Sequence, residues 1–406
     1  MIDAVRLAGQ GAAQIVTPAR LIMAVFFMHA FVLTNWFPRI PDIQHKLQIG
    51  PGDLSLGLLG SPVGTLIALP FAGAIIERLS PRLTIMIAFT LYCIGFTLPG
   101  WAWNVPSLFA ALFVFGLSVP VVDVAMNVEA DRIERSLGRR IMNTCHGFWS
   151  VGTMFGSVTG AGFAALMIEP RWHMLIIAVV ALPIALTIAR ALPQIAADPL
   201  PAGERPPRFA LPSLSLIGLC AFSFGMLLVE GAALDWSAVY MRDVVKISAG
   251  ATGLGFGAFA LFMAIGRLLG DRLAERYGPV ALARTCCLTC FIGIVGLVTA
   301  TSLVQAVISL AAAGFGVSVA APLSVSAAAG RGDRPAAVNV AALSLIAFSA
   351  FLVEPPLIGF ASEAGGLRIG MAMVIPMIVM STLLAGQLRR RTSTPSPPNP
   401  LSEIAT

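Results

Sequence analysis

Twelve apolar blocks of about 20 residues, separated by short polar breaks, restrict what this chain can fold into. About 20 residues of helix span the hydrocarbon core of a bilayer, whereas a spanning strand needs about half that number. Backbone facing lipid must satisfy its hydrogen bonds within its own segment, so blocks of this length are helices. The expected spans are 20–38, 54–76, 83–102, 106–128, 143–167, 173–192, 213–235, 251–270, 281–301, 303–325, 336–358 and 367–387. Composition agrees: 11% of residues are charged, where soluble domains carry about 25%. Mean hydropathy is +0.87, which argues against a water-soluble fold. The first block has no small-residue cleavage site behind it and a second follows soon after, so a removable signal peptide is not expected.

A net charge of +6 invites a nucleic-acid partner, but the charge follows membrane topology instead. With the N-terminus inside, 20 of the 26 basic residues fall in the termini and even-numbered loops, among them Arg78, Arg82, Arg139, Arg267, Arg272 and Arg276. Arg39, Lys46, Arg171, Arg242, Lys246 and Arg368 lie on the other side. The positive-inside rule then predicts a multi-pass protein of the bacterial inner membrane with both termini cytoplasmic. All six cysteines fall in or at the ends of expected helices. Cys287 and Cys290 form C-x-x-C without a second pair or a nearby His, so they read as packing residues rather than metal ligands.

The chain also repeats itself at an offset near 200 residues. Asn35-Trp36 answers to Asp235-Trp236, and the only two lysines, Lys46 and Lys246, occupy equivalent loops. Glu77-Arg78-Leu79-Ser80-Pro81 corresponds to Glu275-Arg276-Tyr277-Gly278-Pro279, and Asn143 to Asn339. An all-α membrane protein of twelve transmembrane helices in two six-helix pseudo-repeats follows. The expected organisation is an N-terminal bundle over 1–192, a Pro-rich cytoplasmic linker over 193–212, a C-terminal bundle over 213–387 and a disordered cytoplasmic tail over 388–406.

Gly73-x-x-x-Glu77-Arg78-x-x-x-Arg82 resembles the loop signature between spans two and three of the major facilitator superfamily, with Ser80 and Pro81 departing from it. The second copy, Gly266 through Asp271-Arg272 to Arg276-Tyr277-Gly278, is fuller. Met126-Asn127 through Glu134, His146-Gly147 with Ser150 and Gly152, Asp235-Trp236-Ser237-Ala238-Val239-Tyr240 and Pro355-Pro356-Leu357-Ile358-Gly359 resemble its YbjJ-like branch, which includes MosC-type proteins associated with rhizopine. Glu354 stands where that pattern has a small residue. The resemblance implies the major facilitator fold and secondary transport by alternating access. It also implies a charge latch at each cytoplasmic loop, from Glu77, Arg78 and Arg82 in one half and Asp271, Arg272 and Arg276 in the other.

Ionisable groups inside a bilayer are costly, so each asks for an explanation. His29 lies near the middle of the first span, where an imidazole can exchange a proton or simply bond a neighbouring helix. Asp123 and Asn127 share one face of span four, and Asn143, His146 and Ser150 share one of span five. The two faces are expected to meet, as a proton-sharing inner gate or as a structural polar network. Glu230 is expected one to two turns from the outer end of span seven, with Arg242 as its structural partner, and Glu354 at comparable depth in span eleven. Either carboxyl is a candidate proton or solute site. Trp36 and Trp236 read as headgroup anchors or as walls for a sugar-like ring, with Asn35, Asp235 and Tyr240 bonding its hydroxyls; Trp149 has the same two readings.

No nucleotide loop, metal cluster or nucleophile elbow appears, so neither a cofactor nor enzymatic chemistry is expected. The expected partners are the bilayer, a small-molecule solute and protons, the chain acting as a monomer. The favoured reading is a proton-linked or facilitated permease for a polyol, sugar-like solute or cyclitol amine. Efflux of amphipathic compounds is the rival within transport. A solute sensor that does not transport is the rival of another class, and the short cytoplasmic segments argue against it.

Overall fold

The computed structural model describes residues 2–139, 141–193, 211–331 and 333–389. The expected linker and tail fall almost wholly outside them. Among the described residues all regular structure is helical. Eleven helices are long and apolar enough to cross a membrane: α1 (Pro18–Leu47), α2 (Pro51–Leu79), α3 (Pro81–Trp101), α4 (Val105–Leu137), α6 (Pro170–Ala191), α7 (Leu214–Asp243), α8 (Gly253–Tyr277), α9 (Pro279–Val298), α10 (Leu303–Ala329), α11 (Val338–Gly365) and α12 (Leu367–Leu388). The remaining expected span is α5 (Met142–Ala165), whose 24 residues are rich in Gly, Ser and Thr. At 1.5 Å per residue it is about 36 Å long, enough to cross, and it lies along α1. One end of the bundle carries Lys46 and Lys246, the other Arg78 and Arg276; they are called here the lysine end and the arginine end.

Local chemistry sets the helix ends. Pro51, Pro81, Pro170 and Pro279 occupy first turns, where a missing N–H costs nothing. Asn104 opens α4 with a capping box, its Oδ1 accepting from Ser107 N at 2.9 Å while Ser107 Oγ accepts from Asn104 N at 3.0 Å. Several helices outrun the expected spans. α4 continues to Leu137 and α7 to Asp243. α1 breaks after Thr34, passes through a 3₁₀ turn at Phe37–Arg39, and resumes as Ile40–Leu47. Hydropathy averages register only the apolar centre of each helix, whereas the α4 extension buries Ala130 and Ile133 against protein and turns Arg135 and Ser136 outward, which lowers its average.

Within each half, helices approach closely through glycine, which lets backbones touch. A methyl group on Gly152 of α5 would collide with the Phe27 carbonyl of α1, and one on Gly156 with the Phe31 carbonyl and the Thr34 hydroxyl. At Gly160 it would stand 2.9 Å from the Asn35 carbonyl oxygen. Gly60 and Gly64 of α2 meet Phe109 and Phe113 of α4 in the same way, and Gly314 of α10 meets Phe259 of α8. All six cysteines are free and buried, as packing residues are. At the arginine end of the second half, Asp333 accepts from Ser213 at 2.7 Å, Ser215 at 2.6 Å and Asn339 at 2.8 Å, tying the start of α7 to that of α11. These hydrogen bonds, Ser215's first, hold its carboxyl well below the usual range.

Candidate functional site

The two ends of the bundle differ. At the lysine end the halves are in contact along two seams. Between α5 and α8, Ser157 Oγ donates to the Gly253 carbonyl at 3.3 Å, and Gly253 and Gly250 lie against Ala161 and Ala165. Between α2 and α11, the Glu363 carboxylate accepts from Gly52 N–H at 3.1 Å, and Gly359 lies against Ser55 and Pro51. Between the seams Arg242 of α7 reaches back to α1, donating to Gln44 Oε1 at 2.9 Å and to the Pro41 carbonyl. The rings of Phe37 of α1 and Phe256 of α8 also meet across the halves, 5.4 Å apart. At the arginine end a cleft of about 1570 Å³ opens, walled by His146 and Ser150 of α5, Arg267 and Asp271 of α8, and Val319 and Ser326 of α10.

Arg267 corrects one expectation. It lies within α8, ten positions before the helix's last residue Tyr277, and not in the loop that follows, and its guanidinium lies 3.6 Å from the Glu230 carboxylate of α7. Glu230 stands 13 positions before Asp243, the last residue of α7, and so lies deeper than one to two turns. Its charged partner is Arg267, while Arg242 pairs with its own neighbour Asp243. Arg267 is 33% exposed and lines the cleft; Glu230 is 17% exposed behind it.

Glu354 of α11 is wholly buried and neither carboxyl oxygen has a hydrogen-bond partner. Oε2 rests on Gly231, where an added methyl would lie 3.2 Å away. The indole N–H of Trp236, likewise buried, faces the Glu354 carboxyl without completing a hydrogen bond of normal geometry, and the Asp235 carboxyl acts on Glu354 electrostatically. Trp36 and Trp236 are 5% and 0% exposed, so neither indole projects to the lipid headgroups. Tyr240 O–H donates to the Leu297 carbonyl of α9 at 2.7 Å. Asn35 Nδ2 donates to the Phe31 carbonyl at 2.7 Å, and its Oδ1 lies 3.0 Å from His173 Nε2.

The sequence reading names neither His173 nor Arg39 as a site residue, Arg39 entering only as a basic residue of the lysine side. Both are buried: His173 stacks on Phe163 at 4.3 Å, and Arg39 donates to Asp42 at 2.7 Å and to the Ile168 carbonyl at 2.6 Å. The available signal was the rarity of histidine, four in the whole chain.

In the first half, both ring nitrogens of buried His29 lack partners, and its ring lies 5.1 Å from that of Tyr92. Tyr92 O–H donates to the His29 carbonyl at 2.8 Å, and half-buried Asp123 acts on Tyr92 electrostatically. Asn127 Nδ2 donates to the Asp123 carbonyl at 2.9 Å. His146 faces the cleft, 5.3 Å edge-on from Phe26. Among the described residues no hydrogen bond or ion pair joins Asp123 or Asn127 to His146, so the faces expected to meet are not linked in this state. Trp149 is half-buried against the apolar cluster that includes Phe26. The expected latch residues Glu77, Arg78, Asp271, Arg272 and Arg276 are exposed and Arg82 is half-buried. No ion pair joins them among the described residues while the arginine end is open.

Residues 22–353 match the model of the Major Facilitator Superfamily. The chain belongs to the Major Facilitator Superfamily. An uncharacterised transporter, y4wD of Sinorhizobium fredii, is 30% identical over 385 residues, 93% of this chain and all of that one. Membrane protein MosC of Rhizobium meliloti is 27% identical over 376 residues, 92% of this chain and 90% of its own length. The crystal structure of the nucleoside transporter NupG superposes with a TM-score of 0.69 at 12% identity, over 91% of this chain and 98% of that one. As a Major Facilitator Superfamily member the chain is a multi-pass membrane transporter and not an enzyme, and the MosC-like branch fits its relatives.

Proposed function

We propose that the chain is a secondary transporter that carries a small polar solute across the bacterial inner membrane by alternating access. The observation that supports this most is the contrast between a lysine end closed by contacts between the halves and an arginine end opening into a cleft of about 1570 Å³ with a membrane-embedded ion pair on its wall. The basic bias survives the relocation of Arg267 and argues that the arginine end is cytoplasmic. The cleft then faces inward. The halves, 1–192 and 213–387, rock about the site, joined through 193–212, with 388–406 as a tail. The solute is a polyol, a sugar-like compound or a cyclitol amine, and Glu230 or Glu354 carries the coupled proton. The nucleoside transporter NupG, of similar fold, is named for a hydroxylated solute.

Two measurements test this. In a thermal-shift screen of the purified protein, a small hydroxylated solute raises the apparent Tm, by the equivalent of about 2.7 kcal/mol at a hundred times its Kd. Stabilisation by cationic amphipathic drugs alone would instead mark an exporter. For sidedness, Lys46→Cys and Lys246→Cys, both at exposed positions, are expected to react with an impermeant maleimide on intact cells. Labelling only after lysis reverses the orientation.

A further inference from the structure

The lysine end carries six cations, and three of them are engaged within the protein. Arg39 is buried on Asp42 and the Ile168 carbonyl, Arg242 pairs with Asp243 and bonds α1, and Arg368 donates to the Val298 and Ala300 carbonyls. Lys46, Lys246 and Arg171 remain. Cations on this side run against the positive-inside bias, yet two of the three stand together. α3 ends at Trp101 and α6 begins at Pro170, and a methyl on Gly100 would lie 2.7 Å from the Arg171 Cα, so the two helix ends abut. The Arg171 guanidinium lies 5.5 Å from the centre of the Trp101 ring and 5.3 Å from that of Trp172, and the two rings meet edge to face at 5.8 Å. Lys46, in the last turn of α1, donates to the Gly100 carbonyl at 2.9 Å, and Arg171 and Glu169 act on it electrostatically. Glu169 takes one edge of the guanidinium, its Oε2 lying 2.6 Å from Arg171 Nε. The two terminal guanidinium nitrogens have no hydrogen bond among the described residues, and Lys46 keeps two of its three N–H donors.

The surroundings of this pair face lipid. Trp101, Trp103 and Trp172 are exposed, Trp103 to 77%, and they are three of the six tryptophans in the chain. Leu166 and Met167, just before Glu169, are exposed as well. Exposed indoles at helix ends settle at headgroup level, so the two cations stand at the depth of the phosphates. Charge then chooses among headgroups. Lys46, Arg171 and Glu169 sum to one positive charge, which a phosphodiester with one negative charge neutralises. A zwitterionic headgroup brings a cation of its own and leaves that charge unmet. We propose that Lys46, Arg171 and the paired indoles of Trp101 and Trp172 bind the headgroup of an anionic phospholipid of the phosphatidylglycerol class. The free guanidinium nitrogens fork two phosphate oxygens, the ammonium closes on the phosphate from α1, and the indoles hold the guanidinium in place through their ring faces. The bound headgroup ties the outer piece of α1, beyond its break at Thr34, to the start of α6. The site lies outside the cleft and within one half, so it is independent of the solute.

The test titrates the purified full chain in detergent micelles with dioleoyl phosphatidylglycerol, dioleoyl phosphatidylcholine or glycerol 3-phosphate, reading Tm and counting bound lipid by native mass spectrometry. Phosphatidylglycerol is expected to raise Tm and to bind about tenfold more tightly than phosphatidylcholine. The double variant Lys46→Gln/Arg171→Gln is expected to lose that preference, while Lys246→Gln, which removes the third free cation of the lysine end, keeps it. Arg171→Lys retains the charge without the planar fork and is expected to lose about half of the preference on a logarithmic scale, or roughly threefold. Where the double variant fails to fold, Arg171→Lys and the single Lys46→Gln carry the test, each with a loss of about threefold. A preference that survives undiminished in a folded variant lacking Arg171 belongs to the arginines of the other end and overturns the site. Equal binding of the two lipids by the wild type overturns it as well, as does an equal loss in Lys246→Gln, which marks diffuse surface charge. A Tm rise with glycerol 3-phosphate as large as that with the lipid marks a site for soluble phosphate and overturns the lipid assignment.

Discussion

Gly359→Val is expected to open the lysine end. A side chain at this position has no room while α2 and α11 are in contact, since its first carbon would lie 2.7 Å from the Pro51 carbonyl and closer still to the Ser55 side chain. Overpacking of this kind costs about 1–3 kcal/mol. A state in which the seam has parted escapes that cost, so populations shift towards it by roughly 5- to 150-fold. The opposite seam reports the change. Ser157, wholly buried with its hydroxyl on the Gly253 carbonyl, is expected to be unreactive as Ser157→Cys in the parent and to label from outside once Gly359→Val is added. Solute flux should fall about tenfold, because a carrier held open at one end turns over slowly. A Ser157→Cys that stays protected would mean that the two seams part independently.

Glu230→Gln is expected to uncouple transport. With one proton per solute, a pH gradient of about one unit supports about tenfold accumulation, and a side chain fixed in the neutral form removes that drive. Accumulation in liposomes, measured with the solute that stabilises the protein in the thermal-shift screen, should then fall to equality across the membrane while exchange continues. The companion Glu354→Gln separates the two acids. Loss confined to it would move the proton site to the buried carboxyl of α11, whose oxygens both lack partners. Full gradient-driven accumulation in both variants would rule out proton coupling in the second half.

Much of the fold could be read from the residues themselves. Apolar blocks of bilayer length set the helix count, and the paired Trp36 and Trp236, Lys46 and Lys246, revealed the repeat. Helix ends were less legible, because Arg39, Asp42 and Gln44 look like loop residues until α7 and the Ile168 carbonyl are brought against them. Arg267 misled for a related reason. A basic residue late in an apolar block reads as a flank, and only the approach of Glu230 from another helix reveals it as half of a membrane-embedded pair. The contact between Asn35 and His173 joins residues 138 positions apart, a separation at which one sequence carries no signal. Burial of the two tryptophans was equally hidden, since an indole at a helix end suits lipid and protein alike.

The glycines of α5 have a mechanical meaning as well as a steric one. Two helices whose backbones touch at Gly152, Gly156 and Gly160 cannot slide past each other by a fraction of a residue, because every intermediate offset drives an α1 carbonyl into the α5 backbone. They behave as a single beam. The strain of each turnover therefore falls elsewhere, on the thin seams between the halves and on the break in α1 between Thr34 and Ile40, the joint at which that beam can bend.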